Sequence, residues 1–115
     1  MANDRTFELR TYRSSPGNLE ALSSRFRDHT IGLFTDHGIG VTGFWIAPDE
    51  DDETTGTIVY ILDYPSREEA AQRWAAFQAD ERWKSARAAS EAERGPLTSS
   101  VESKFMIPTD YSAIR

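Results

Sequence analysis

Arg10 and Tyr12 stand two residues apart in the run Phe7-Glu8-Leu9-Arg10-Thr11-Tyr12. If that run is a strand, they share a face with Glu8, because successive side chains alternate. A guanidinium can hold a carboxylate or enolate through two parallel hydrogen bonds. A phenol can donate to a carbonyl oxygen or act as an acid or base. Arg10 and Tyr12 are therefore the first ligand-binding and catalytic candidates. The plainer alternative pairs Arg10 with Glu8, or with Glu102 on a neighbouring strand. Tyr60 and Tyr64 share a face of a second apolar run and could line the same cavity, or be core aromatics with bonded hydroxyls. Trp45 is either a pocket wall or part of a dimer interface.

His29 and His37 are the two histidines, the usual groups for proton transfer near neutral pH. His29, three residues after Phe26, falls on the apolar stripe of a helix. It is a third catalytic candidate, or else a buried histidine held by a backbone carbonyl. His37 falls at the helix end, where an imidazolium suits the helix dipole. Eight residues on one helix separate them by about 12 Å, so they cannot share a metal ion. With no cysteine in the chain, a zinc site has no further soft ligands, and no metal is expected. Thiol and disulfide chemistry are excluded. No cofactor is predicted, although a single histidine leaves axial haem ligation open.

Other signatures are missing. No glycine-rich phosphate loop follows a strand, and Gly38-Ile39-Gly40 is too short for a dinucleotide fingerprint. A calcium loop needs alternate ligands, a central glycine and a late bidentate glutamate between two helices; the acidic run at 49–53 has flanks that read as strands, and it reads as a solvated hairpin tip. A net charge of -6 repels phosphate backbones, which argues against nucleic acid. No apolar run reaches the roughly 20 residues of a membrane helix. The start, Met1-Ala2-Asn3-Asp4-Arg5, is no secretory signal, so the expected compartment is the cytoplasm.

The elements that would position these residues read clearly. A first strand covers Phe7–Tyr12. Ser14-Ser15-Pro16-Gly17 opens a helix running from about Pro16 to His37, stopped by Gly38. Ile39–Ala47 and Thr57–Tyr64 are strands. In the latter, Ile58, Tyr60, Leu62 and Tyr64 face one way, and Val59 and Ile61 the other. Ser66 and Glu69 form a capping box for a helix through Ala70, Trp74 and Phe77, and Asp80 re-caps the chain into a turn carrying Trp83 and Ala86. Val101–Ile107 is the last strand. The 115 residues suit one domain, 1–115. The order β-α-β-β-α-β predicts an α+β, ferredoxin-like fold, an antiparallel four-stranded sheet with helices on one face.

Helices on one face leave the other bare, yet the third strand is apolar on both. A second copy packed sheet to sheet would cover it, enclosing a space between subunits or within each half of a barrel. If Phe7 and Leu9 meet the helices, Glu8, Arg10 and Tyr12 line the space between the sheets.

The segments Phe7 to Tyr12, Pro16-Gly17, Gly43-Phe44-Trp45, and Tyr60 to Tyr64 ahead of Ser66-Arg67-Glu68-Glu69 resemble the NIPSNAP family. Arg25-Phe26-Arg27-Asp28-His29-Thr30 and Asp80-Glu81-Arg82-Trp83 are similar to its bacterial members. The resemblance runs from Thr6 to about Pro108 and implies a homodimeric α+β barrel. The family has no agreed reaction, and its eukaryotic members are linked to mitochondria and membrane traffic. Its wider superfamily includes cofactor-free monooxygenases, lactone isomerases, polyketide cyclases and haem enzymes, an analogy of fold alone. Three functions follow as expectations: binding of a small apolar or aromatic ligand in a sheet-lined cavity, cofactor-independent oxygenase, isomerase or cyclase chemistry on a small organic substrate, or a non-catalytic adaptor.

Overall fold

A computed structural model describes residues 5–115. The reading of the chain start as no secretory signal falls on residues 1–4, outside the described residues. Strand β1 (Thr6–Ser14) leads into α1 (Leu19–Arg25), which continues through a π-helical turn (Phe26–Thr30) into α2 (Ile31–Asp36). Strands β2 (Gly40–Pro48) and β3 (Gly56–Tyr64) form a hairpin, followed by α3 (Arg67–Ala79), α4 (Glu81–Glu91) and β4 (Thr98–Met106). The sheet order is β2-β3-β1-β4 with every neighbouring pair antiparallel. This is the four-stranded α+β arrangement the sequence pattern predicts. No helix among the described residues is long and apolar enough to cross a membrane.

Local chemistry sets the boundaries. Ser66 accepts a hydrogen bond from the backbone N–H of Glu69, and Asp80 accepts one from that of Arg82. Each cap satisfies a donor that a helix start leaves unpaired. The Glu69 carboxylate turns to Arg73 Nε, 2.9 Å away. Gly38, at φ 69°, makes the left-handed exit from α2. At the acidic hairpin tip Asp52 accepts from Thr54 and Thr55, while Asp49 accepts both terminal nitrogens of Arg13.

Strand alternation decides what faces the helices. Ile58, Tyr60, Leu62 and Tyr64 are at most 2% exposed and pack beneath Leu22, Phe26, Phe34 and Phe77. Arg10 lies opposite Tyr60 on β3 and Ser103 on β4. Glu8, Arg10 and Tyr12 therefore share the helix-facing side, and Phe7 and Leu9 face the other way. The orientation with Phe7 and Leu9 against the helices is thus overturned: β3 already commits its even-numbered residues to the core, and pairing carries that choice to β1.

The opposite face of the sheet has no helix. Leu9, Val59 and Ile61 are half-buried there, and Trp45 is exposed. At one end, tail residues including Ile107 and Ile114 flank Phe7 and Ile61, and Arg5 donates to the backbone carbonyl of Arg115. The tail lies along its own sheet.

Candidate functional site

Between sheet and helices the polar side chains of β1 and β3 converge. Arg10 Nε donates to the hydroxyls of Tyr60 (3.1 Å) and Tyr12 (3.3 Å), and Nη2 donates to Tyr12 (3.1 Å). Its Nη1 donates to Oε2 of Glu8 at 2.7 Å. Glu8, 3% exposed, also accepts from Tyr64 (3.1 Å) and Ser103 (2.5 Å). Three of the sequence candidates, Arg10, Tyr12 and Tyr60, thus meet directly, and Tyr64 joins them through Glu8. The pairing of Arg10 with Glu8 and its contact with the phenols coexist.

The two hydroxyls lie 2.9 Å apart. Both oxygens accept from Arg10, and one hydroxyl proton is used between them. Two phenols carry two protons, so one has no acceptor among the described residues. Tyr12 and Tyr60, with Thr30 and Gln78, border a void of about 20 Å³. Phe26, Phe34, Phe77, Trp74 and Trp83 complete its walls. That volume holds about one water-sized group. Arg10 stands behind the phenols instead of bordering the void.

Electrostatics hold Arg10, Tyr60 and Tyr64 in their neutral-pH protonation states. Burial opposes charge on Arg10, but Tyr12, Tyr60 and Glu8 outweigh it, and its pKa sits above the ordinary value. Burial, reinforced by Tyr12, pushes the Tyr60 phenol well up. Burial and the Glu8 charge do the same for Tyr64. Tyr60 and Tyr64 are therefore hydrogen-bond donors and acceptors that keep their protons at neutral pH.

Aromatic packing fixes the rings. Tyr60 stacks on Phe44, 4.3 Å between centroids at 9°, and Phe26 meets Tyr12 edge-on at 5.3 Å. The Arg10 guanidinium lies under the ring of Trp74. Glu8, Trp74, Phe44 and Ser103 were not site candidates in the sequence. Glu8 and Ser103 follow from register once β1 is aligned with β4. Trp74 follows only from the packing of α3, which nothing local in the sequence encodes.

The remaining candidates lie elsewhere. Trp45 opposes Val59 on the helix-free face, 56% exposed, its ring folded back over Gly43. His29 is exposed, which corrects its reading as a buried histidine. The π-helical turn adds a residue, so the buried series runs Leu22, Phe26, Thr30, Leu33 and Phe34, and His29 rotates outward to a cleft shared with Arg25 and Ser90. Such insertions are frequent at functional positions, but here the turn separates His29 from the phenols. His37 ends α2 as expected, with Nε2 2.8 Å from Oδ2 of Asp80.

The sequence model of the NIPSNAP family matches residues 7–113. The chain belongs to the NIPSNAP family. A NIPSNAP family protein of unknown function from Agrobacterium tumefaciens is 25% identical, with a TM-score of 0.81 covering 100% of this chain and 97% of that one. Another from the same organism is 22% identical, with a TM-score of 0.79 over 96% of this chain and 99% of that one. A cofactor-independent oxygenase from Streptomyces nogalater is 13% identical, with a TM-score of 0.60 over 97% and 99%. At that identity the likeness is one of fold. No curated protein matches the sequence. The NIPSNAP match therefore fixes kinship and architecture, and the chemistry has to be argued from the phenol cluster.

Proposed function

We propose that this NIPSNAP protein binds a small organic ligand with an aromatic or apolar body, held between sheet and helices by an oxygen that accepts from the Tyr12–Tyr60 pair. The hydroxyl proton of Tyr12 carries this reading: Tyr60 donates to the Tyr12 oxygen and leaves that proton without an acceptor among the described residues at the edge of the void, and an oxygen placed there to accept it gains about 0.5–1.5 kcal/mol. Arg10 acts through the phenol oxygens, polarising them and fixing their geometry, and Glu8 with Tyr64 holds Arg10. The void takes the oxygen alone. The ring of the ligand enters where Trp74 and Trp83 now close the site. Both are only partly buried, and α4 buries none of its residues, so this wall is the part of the core most easily displaced. Among the described residues no histidine or carboxylate borders the void, which favours binding and polarisation over proton abstraction by a side chain. The exposed Trp45 with Leu9, Val59 and Ile61 on the helix-free face supports a homodimer joined sheet to sheet.

The test uses matched probes followed by the indole N–H signals of Trp74 and Trp83 in NMR. Acetophenone should bind more tightly than ethylbenzene, by about 1 kcal/mol or roughly fivefold for one hydrogen bond. Tyr12→Phe alone should keep that preference, since Tyr60 then has the spare proton. Tyr12→Phe with Tyr60→Phe should abolish it. Equal affinity for both probes in the unmodified protein would end the proposal.

A further inference from the structure

Building on that binding reading, we infer that the ligand presents a neutral carbonyl, as in a ketone, quinone or lactone, and that the site discriminates against carboxylates because Glu8 neutralises Arg10. The inference rests on how charge is arranged behind the phenols. Arg10 is the cation nearest Tyr12 and Tyr60, and its charge is already matched by Glu8 at 2.7 Å. Glu8 is held in turn by Tyr64 and Ser103, so it cannot turn away to leave Arg10 for a ligand. A second cation on that side, Arg25, lies 5.3 Å from the ring of Trp83 and is paired with Glu91 at 3.3 Å. Among the described residues, no charged one lines the void.

A carboxylate entering this space would lose its hydration, gain one phenolic hydrogen bond, and find no uncompensated positive charge. Burial of an ion without a partner charge is strongly unfavourable. A carbonyl oxygen needs one good donor and carries no net charge, so the same phenol satisfies it. An unpaired arginine in this position would select acids. The Glu8–Arg10 pair instead keeps the arginine's geometry and removes its net charge, which makes Glu8 a specificity-determining residue that never touches the ligand.

Acetophenone and benzoate are close in size and differ in charge, so they separate the alternatives. With the unmodified protein at pH 7.5, acetophenone should bind on the order of tenfold or more tightly than benzoate. Glu8→Gln, which leaves the Arg10 charge unmatched, should reverse that order. Glu8→Asp, which keeps the charge, should not. If benzoate binds the unmodified protein at least as well as acetophenone, the neutral-carbonyl inference is wrong while the binding site stands. If Glu8→Gln folds, shown by an unchanged circular dichroism spectrum, and still prefers acetophenone, Glu8 is not the discriminating group. If neither probe shifts the Trp74 and Trp83 signals, the binding reading falls and takes this inference with it.

Discussion

The guanidinium carbon of Arg10 lies 4.1 Å from the centre of the Trp74 ring, so a charged residue of the sheet is roofed by an indole from α3. The contact combines cation–π attraction with exclusion of water from the phenol cluster. Trp74 also packs on Phe34 and Phe77. Trp74→Ala should therefore lower stability by about 3 kcal/mol, the lower end for removing a large aromatic, because the ring is only partly buried. Urea denaturation checks this. A change below about 0.5 kcal/mol would show that the indole is not part of the packed wall.

Glu8 and Arg10 form a buried ion pair whose members differ in how they can be replaced. Glu8→Ala strands the Arg10 charge and should cost about 3 kcal/mol or more. Adding Arg10→Met to that variant removes the stranded charge and should restore part of the loss. Strict additivity of the two substitutions in denaturation would contradict a coupled pair.

Asp80 links acid stability to the junction of α3 and α4. Its carboxyl is held well below the ordinary range, chiefly by the Arg82 side chain and then by His37. A carboxyl whose folded pKa is depressed stabilises the fold above its unfolded value, about 3.9, and loses that contribution as pH falls toward the folded value. Asp80→Asn should therefore reduce stability at neutral pH and flatten the decline below pH 4. Parallel pH–stability curves for the two proteins would exclude the role.

Trp45 offers a clean probe of the helix-free face, since it is exposed in the isolated chain. Trp45→Glu should leave the circular dichroism spectrum unchanged and convert the proposed dimer to monomer in sedimentation velocity. A dimer that survives with unchanged affinity would place the interface elsewhere.

His29→Ala should change neither acetophenone affinity nor stability by more than about 0.5 kcal/mol, as for surface substitutions in general. A large loss of affinity would mean that the cleft beside the π-helical turn takes part in binding.

How far the sequence revealed these relationships depended on the length scale of each signal. The caps at Ser66 and Asp80 were legible because capping is decided within three residues. The alternation in β3 was legible because its apolar positions repeat over the whole strand. Period two says that Glu8, Arg10 and Tyr12 share a side without saying which side; that answer came from pairing with β3. His29 was misread because a regular 3.6-residue period does not anticipate the single extra residue of a π turn. Trp74 over Arg10 joins residues 64 positions apart in sequence, and no local pattern reports it.

The hydrogen bonds of β1 have one more effect. Glu8, Arg10 and Tyr12 reach across to Tyr60 and Tyr64 on β3 and to Ser103 on β4. A slip of β1 by one residue would send all three to the helix-free face, separating the ion pair from its partners and placing Leu9 or Thr11, according to its direction, opposite Tyr60. Misaligned sheets are thus penalised on both neighbouring strands at once. The cluster proof-reads the folding of the chain, and a population of correctly paired sheets is also a population of assembled phenol clusters.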